Sequence, residues 1–311
     1  MPKRDYEQEL TQHLIKELES GAPPWERGWI VLGRHYNIDS GNEYSGNNQF
    51  ILPLIAASQS YDSNQWGTYK NWSEASDKHN RALGKLPENG KYEDWYGVKS
   101  GESSSMVFFW NTKEVPDKDQ PKQADGTYPL KRIFWKKWWA VFNRDQTGMP
   151  PLEHDHPDIP ITESEEAMLS VIYKYCEDND ITIKRGGDSA FYSPSRNLIN
   201  MPKDSRFTSV EERMNTWAHE VIHSTGPHFK RKMGVFGDRE YAQEELIAEM
   251  GAALICAQFG VDYTSRNNLT AYINSWLKAL KGDKNYIVKV SGDTGKAVRR
   301  VMEYAESEEE E

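Results

Sequence analysis

The spacing of apolar side chains predicts an amphipathic helix near the start of the chain. Apolar residues recur at every fourth position between residues 5 and 20, with charged residues between them, and Gly21 ends the pattern. Short apolar and aromatic runs separated by turn signals follow, and residues 106–110 form the strongest strand candidate among them. This pattern is typical of a mixed helix and strand domain.

The second half of the chain has a mainly helical pattern. Short extended segments are predicted near residues 190–192 and 198–202. Apolar periodicity predicts five helices in this half, at 163–177, 209–224, 240–259, 268–281 and 294–305.

A proline-rich stretch divides the two halves. Residues 148–160 show no periodicity and contain four prolines, a composition that suits a linker. The predicted fold class is α+β with two domains: an N-terminal α+β domain at 1–147 and a mainly helical domain at 161–305. Residues 306–311 form an acidic tail, which we expect to be disordered because its like charges repel.

Composition narrows the class of protein. The 311 residues are 37% hydrophobic and 28% charged, as in ordinary globular proteins. Cys176 and Cys256 form no CxxC pair, so neither a disulfide framework nor a cysteine zinc site is predicted. No apolar run is long enough to span a membrane and the first 20 residues are polar, so we expect a cytoplasmic protein without a membrane partner. The oligomeric state stays open.

The strongest chemical signal is the segment His219-Glu220-Val221-Ile222-His223. On a helix the two histidines lie one turn apart, so both imidazoles can bind one tetrahedral metal. Apolar residues fill the opposite arc of this helix, which places the histidines on a cleft. We predict that His219 and His223 bind one zinc ion per chain and that Glu220 is the general base. A chance match on a solvated helix is the alternative.

A catalytic zinc site needs a third protein ligand, for which the sequence offers three candidates. His228 is one residue short of the position that the metzincin pattern requires, which is occupied by Phe229. Glu244 lies at the edge of the apolar arc of the helix at 241–259, whereas Glu245 and Glu249 lie in its middle.

Carboxylates on an apolar face need partners, and a metal ion with its histidines supplies them. We therefore predict Glu245 as the third ligand and Glu249 as the hydrogen-bond partner of a ligating histidine. Two ordinary ion pairs to Lys or Arg are the alternative.

These residues indicate the chemistry of a metallopeptidase. Glu220 would take a proton from water and later pass it to the leaving amine. Residues 191–200 fit two interpretations, namely the edge strand on which an extended peptide pairs and an ordinary core strand.

Aromatic residues concentrate in the first half, which holds nine of the eleven tryptophans. Residues 130–139 interleave cations with large rings, a combination that suits single-stranded nucleic acid. The competing interpretation is that the rings fill the core of a small domain. Residues 1–150 carry 19 Lys and Arg against 20 Asp and Glu, which argues against strong duplex binding, and residues 151–311 carry 19 against 28.

Several motifs occur in an order that resembles a known family. The C-terminal half carries Ile199-Asn200-Met201-Pro202, the segment from His219 to Gly226, and Glu244-Glu245-Leu246-Ile247-Ala248-Glu249. The N-terminal half carries Pro24-Trp25 with Trp29, and the segments 44–48, 66–69, 98–102 and 141–146. In these motifs the sequence resembles the ArdC-like antirestriction proteins of conjugative plasmids.

The resemblance implies a single-stranded-DNA-binding N-terminal domain joined to a zincin-type metallopeptidase domain. Such a protein shields entering plasmid DNA from restriction, and a protein of the restriction system is a possible substrate. Two other interpretations stay open: DNA coating with a metal domain that is only structural, and a general cytoplasmic zinc protease. The residues that we expect to contact DNA are Trp25, Trp29, Tyr44, Asn48, Trp66, Lys99, Lys136 and Trp138.

Overall fold

The computed structural model describes residues 5–19, 35–44, 47–88, 90–123, 125–151, 161–235, 238–263, 269–283 and 285–306. By contacts between Cα atoms the chain forms two compact units. One contains residues 1–65 together with 150–311, and the other contains residues 66–149. The architecture is α+β, as predicted.

The larger unit is mainly helical. Its elements are α1 (Tyr6–Glu19), β1 (Tyr36–Asn37), α2 (Asn48–Gln59), α4 (Ile161–Asp178), β5 (Thr182–Arg185), β6 (Phe191–Ser193), β7 (Leu198–Met201), α5 (Val210–Ser224), α6 (Arg239–Gln258), α7 (Leu269–Gly282) and α8 (Tyr286–Glu306). Strands β5, β6 and β7 form a three-stranded sheet that precedes the central helices. In this sheet β7 lies in the middle, parallel to β5 and antiparallel to β6.

The N-terminal segments of this unit pack on its C-terminal helices. Helix α1 buries Leu14 and Leu18 and contacts α7 and α8. The Asn47 side chain donates hydrogen bonds to the Val288 carbonyl and to Ser291 Oγ, at 2.8 Å for the serine. This grouping differs from the sequence division at residue 147, because the apolar face of α1 is covered by helices more than 250 residues away along the chain.

The smaller unit is built on a long antiparallel hairpin. It contains β2 (Gln65–Gly67), α3 (Tyr69–Ala82), β3 (Ser105–Pro116) and β4 (Leu130–Asn143), and β4 lies between β2 and β3. Thr68 caps α3 by accepting a hydrogen bond from the Asn71 backbone N–H. Trp72 is buried, and its Nε1–H donates to the Phe142 carbonyl at 2.9 Å.

Most predicted elements of the C-terminal half are present within a few residues of their expected bounds. Two elements of this half differ, because α8 begins at residue 286 instead of 294 and β5 was not predicted. In the N-terminal half the helices α2 and α3 were not predicted. Residues 152–160 of the predicted linker and 307–311 of the tail lie outside the described residues. Over the part of the chain that the structure describes, none of the helices is long and apolar enough to cross a membrane.

Candidate metal centre

Helix α5 carries the two predicted histidine ligands. Ser209 caps its N-terminus by accepting a hydrogen bond from the Glu212 backbone N–H. From residue 214 to residue 224 every side chain is buried, because the helix contacts α6, α4 and the small sheet. His219, Glu220 and His223 are therefore held in a packed environment, at 2%, 2% and 8% exposure.

Three side chains from α5 and α6 converge on one point. His219, His223 and Glu245 each offer a ligand atom, and these atoms lie within 4.8 Å of one another. The two Nε2 atoms are 3.0 Å apart. Glu245 places Oε2 3.6 Å from His219 Nε2 and Oε1 3.5 Å from His223 Nε2.

A carboxylate lies behind each imidazole. Glu249 Oε1 is 3.6 Å from Nδ1 of His219, and Glu244 Oε1 accepts a hydrogen bond from Nδ1 of His223 at 3.2 Å. A carboxylate at Nδ1 keeps the proton there, so the Nε2 lone pair stays available to a metal. Both rings therefore present Nε2 toward Glu245.

Each of these two carboxylates has its own partner. The Arg231 guanidinium forms two hydrogen bonds to Glu244, at 2.9 and 2.8 Å, and the Tyr263 hydroxyl donates to Glu249. Glu249 therefore lies beside His219 Nδ1 at an ion-pair distance, and the predicted hydrogen bond between them stays a prediction. The sequence patterns did not indicate that Glu244 contacts His223. They also did not indicate Arg231 and Tyr263, because these two residues lie outside the helices.

The pKa values of these groups reflect their mutual attraction. Burial by itself raises the pKa of Glu244, but hydrogen bonds from Arg231 and His223 outweigh it and bring that pKa to about 2. Burial lowers the pKa of His223, yet Glu244 and Glu245 overcome this effect and raise it to about 10. Burial also raises the pKa of Glu245, but His219 and His223 outweigh this effect and hold that pKa well below its ordinary range. At neutral pH both carboxylates are ionised and His223 is protonated, so a metal ion that binds through His223 Nε2 displaces that proton.

The donor set suits a divalent metal ion. Two imidazole nitrogens and one carboxylate oxygen are the protein ligands of a His₂Glu catalytic zinc site, which leaves a fourth position open. Buried carboxylates are costly without a positive partner, and a cation among these three donors would supply one. Glu220 follows His219 directly on α5, which is the position of a general base in such a site.

A glycine lets the two ligand-bearing helices approach closely. Gly251 of α6 faces Ile222 of α5, and a Cβ atom at Gly251 would lie 2.8 Å from Ile222 Cγ1. Real Cβ contacts are essentially never that short. The convergence of the ligands therefore depends on a residue without a side chain on α6.

His228, the alternative third ligand, is elsewhere. Its side chain is exposed, and its ring packs edge-on against Phe229 with centroids 4.8 Å apart. It does not belong to the converging group, in agreement with its rejection on sequence grounds.

The predicted DNA contacts have mixed placements. Trp25 and Trp29 lie outside the described residues. Tyr44, Asn48 and Trp66 are buried, at 5%, 2% and 0% exposure. The prediction that these three contact DNA is corrected, because a side chain without exposed surface cannot stack on a base or reach a phosphate.

The other three predicted contacts lie at least partly on the surface of the smaller unit. Lys99 is exposed, and its Nζ donates to the Asp145 carbonyl at 3.1 Å. Trp138 is half-buried and packs against Phe108, with ring centroids 4.8 Å apart. Lys136 lies over the Phe108 ring at 5.1 Å. Sequence reasoning missed the more exposed rings beside them.

The opposite face of the hairpin presents those rings to solvent. Residues that pair directly across the two strands share a face, and so do alternate residues along one strand. By the register of β3 and β4, one face carries Phe109, Trp135, Lys137 and Trp139. The three rings are 42%, 43% and 42% exposed, and Lys137 Nζ lies 4.2 Å from the Trp139 ring centroid. We call these four residues the aromatic face.

Comparison with known proteins defines the class of the larger unit. Residues 171–293 match the family described as zincin-like metallopeptidase. This range contains α5 and α6 and all three converging side chains. The C-terminal part of the chain is a zincin-like metallopeptidase domain.

The N-terminal part matches a second family. Residues 4–142 match the N-terminal domain of anti-restriction factor ArdC. With the zincin-like domain that follows, the chain has the two-domain organisation of an ArdC-like protein.

Solved structures agree with this assignment. The metal-free crystal structure of the antirestriction protein ArdC from plasmid R388 has a TM-score of 0.71 and 29% sequence identity, covering 98% of this chain and 99% of that one. The Mn(II)-bound structure of ArdC from R388 has a TM-score of 0.69 and 28% identity, covering 97% and 98%. The zincin-like domain, the converging donors and the Mn(II)-bound neighbour together indicate a divalent-metal centre.

Two sequence relatives differ in length. The uncharacterized protein y4eC of Sinorhizobium fredii is 28% identical over 292 residues, which cover 91% of this chain and 87% of that protein. DNA primase TraC of Escherichia coli is 26% identical over 336 residues. That match covers 99% of this chain but only 28% of the TraC protein.

Proposed function

We propose that this protein is an antirestriction factor that binds single-stranded DNA and carries a zinc-dependent peptidase centre. It protects incoming plasmid DNA from restriction in the cytoplasm of the recipient cell, and a protein of the restriction system is its candidate substrate. The observation that carries the catalytic part is the convergence of His219, His223 and Glu245 on one point. The family assignment supports the antirestriction part.

In this proposal His219 Nε2, His223 Nε2 and a Glu245 oxygen hold one zinc ion per chain. When bound, zinc supplies a Lewis acid that acidifies water and polarises a carbonyl group. Glu220 accepts the proton of the attacking water and delivers it to the leaving amine. Glu244 and Glu249 keep the two imidazoles oriented through Nδ1.

Strand β6 is the candidate docking site for the peptide. It is an edge strand of the sheet in the order β5-β7-β6, and it contacts the histidine-bearing helix α5. An edge strand offers unpaired backbone groups to an extended peptide, and main-chain hydrogen bonds of this kind accept many sequences.

The aromatic face is the candidate DNA-binding surface. Unpaired bases stack on exposed rings, and neighbouring cations attract the phosphates. Phe109, Trp135 and Trp139 supply three rings and Lys137 a cation on a single face. A binding mode through stacking also agrees with the nearly balanced charge of residues 1–150, since it depends less on phosphate neutralisation than duplex binding does.

A conjugation assay with the full chain tests the proposal. The plasmid enters a restricting recipient that contains the unsubstituted protein or its Glu220→Gln variant, and zinc content is measured for both proteins. Loss of protection by a Glu220→Gln variant that retains zinc supports a role for the peptidase chemistry. Full protection by that variant would instead favour DNA coating with a metal domain that is only structural.

The general-protease alternative has a separate test. Rapid degradation of unfolded casein by the full chain, stopped by Glu220→Gln, would favour a protease without a dedicated substrate. Absence of casein cleavage together with loss of protection in Glu220→Gln supports a dedicated one.

A further inference from the structure

Arg231 connects the two helices that carry the candidate metal ligands. It lies in the connection between α5 and α6, and its side chain is 5% exposed. Nε and Nη2 donate to the two oxygens of Glu244 on α6, while Nη1 donates to Thr225 Oγ1 at 2.8 Å and Nη2 to the Ile222 carbonyl at 2.9 Å. A guanidinium has a fixed fork of donors, so these bonds fix the relative positions of the groups that accept them.

The two groups at the end of α5 belong to the segment around His223. The Ile222 carbonyl directly precedes His223 along the chain, and Thr225 follows it by two residues. A cation at the C-terminal end of a helix is favourable because carbonyl groups without helical partners point there. Arg231 therefore stabilises the turn of α5 that carries the second histidine.

The bonds to Glu244 decide what that carboxylate can do. With each oxygen held by Arg231, Glu244 stays at Nδ1 of His223, 3.2 Å away. Without these bonds the Glu244 side chain could rotate away from Nδ1 and leave the His223 ring without this partner. Its present position leaves His223 Nε2 facing Glu245, at 3.5 Å.

We infer that Arg231 is a positioning residue of the metal centre: through Glu244 and the end of α5 it fixes the orientation of His223 and thereby sets the affinity of the site for a divalent ion. This inference rests on the proposed metal site. The competing explanation is that Arg231 only stabilises the packing of α5 against α6, as any buried ion pair would.

Arg213 provides a matched control for that explanation. It is also an arginine of α5, with a side chain 19% exposed, and it forms ion pairs with Glu165 and Asp204. It contacts none of the candidate ligands among the described contacts. Removing Arg213 therefore costs a partly buried ion pair on the same helix without changing the partners of His223.

The surroundings of Arg231 allow substitution. Arg231 and Glu244 both line a cavity of about 490 Å³, so water can reach the polar groups that a shorter side chain leaves behind. Arg231→Met removes the charge and all four hydrogen bonds. Arg231→Lys keeps the charge, but a single ammonium group cannot contact both Glu244 and the end of α5.

The test is a titration of the metal-stripped full chain with Co(II), in which the absorption bands of the bound ion report binding. Zinc affinity is measured separately, by competition with a chelator. Loss of an outer partner of a ligating histidine lowers metal affinity by about 10- to 100-fold, and we expect this loss and an altered Co(II) spectrum for Arg231→Met. Arg231→Lys should lose less, and Arg213→Met should keep the original affinity and spectrum. If Arg231→Met does not fold, a reduced affinity of Arg231→Lys supports the inference.

The contrary outcomes are separable. If Arg231→Met has the metal affinity and Co(II) spectrum of the unsubstituted chain, the inference is overturned and the proposed metal site is unaffected. The same result for Arg231→Lys has this meaning where only that variant folds. An equal loss of affinity in Arg213→Met shows a general packing effect and also overturns it. An unsubstituted chain that binds no divalent ion overturns the proposed metal site, and the role of Arg231 with it.

Discussion

Gly251 and Ile222 hold α6 and α5 at a separation that leaves no room for a side chain at position 251 unless Ile222 shifts. A Cβ atom there would meet three atoms of the Ile222 side chain at 2.8, 2.9 and 3.1 Å. Ile222 is fully buried, so its side chain has little room to turn away, and a shift of its backbone would also move the neighbouring His223. The metal centre thus depends on close packing of helices as well as on its ligands.

Gly251→Ala is expected to destabilise the chain and weaken metal binding together. Overpacking of a core typically costs about 1–3 kcal/mol, and the shift needed here separates Glu245 from the histidines. Denaturant unfolding and a zinc titration of the variant measure the two effects. Gly282→Ala is the control, because Gly282 has open space around it, and this variant should retain zinc affinity. Gly260 is unsuitable because its positive φ would strain an alanine. A Gly251→Ala variant with unchanged zinc affinity would show that helix separation is unimportant.

Glu245 and Glu244 are adjacent, but their removal should differ in effect. Loss of an outer partner of a ligand lowers metal affinity by up to about 100-fold. Glu245→Ala removes a candidate ligand itself, so its zinc affinity should fall by more than that. Glu244→Ala should fall within that range because all three ligand side chains remain. Zinc content after dialysis against a weak chelator distinguishes the variants. Equal retention of zinc by both would contradict the assignment of Glu245.

The aromatic face predicts which tryptophans matter for DNA. Trp135→Ala and Trp139→Ala should each weaken binding of single-stranded oligonucleotide by about 1–3 kcal/mol, the usual contribution of one stacked base. Trp95→Ala is the matched control, since Trp95 is 47% exposed on the same unit but lies off the hairpin. Fluorescence anisotropy at low salt measures the affinities. Similar losses in all three variants would argue against a localised surface.

Metal removal should lower the stability of the larger unit. An ion that binds only the folded state stabilises it by about 2.7 kcal/mol at a concentration 100 times its Kd. Thermal unfolding with zinc and with a chelator should therefore differ for the unsubstituted chain and agree for His223→Ala. An unfolding curve that zinc does not alter would count against a site formed in the folded state.

The sequence predicted the parts of the centre that follow helical periodicity. His219 and His223 lie four residues apart on α5, and Glu245 and Glu249 lie four residues apart on α6, so the spacing places each pair on one face of its helix. Arg231 and Tyr263 could not be found in this way, because they lie in irregular segments outside the helices and reach Glu244 and Glu249 only through the tertiary fold. Only the tertiary structure shows these contacts.

The hairpin shows a similar division between pattern and packing. Interleaved cations and rings at 130–139 indicated a binding surface, and alternation within β4 assigns the rings to two faces. Which face is open depends on burial, so Trp138 was favoured although Trp135 and Trp139 are more exposed. Burial of Trp66 and Tyr44 likewise follows from packing that the sequence motifs do not encode.

The proposed function depends on one zinc ion held by His219, His223 and Glu245. Anomalous diffraction at the zinc edge, from crystals of the full chain grown with zinc, locates that ion. We expect a single strong peak in the larger unit, bonded to Nε2 of both histidines and to a Glu245 oxygen at about 2.0–2.2 Å. A peak bonded to Glu244 or His228 instead, or no peak between α5 and α6, would contradict it.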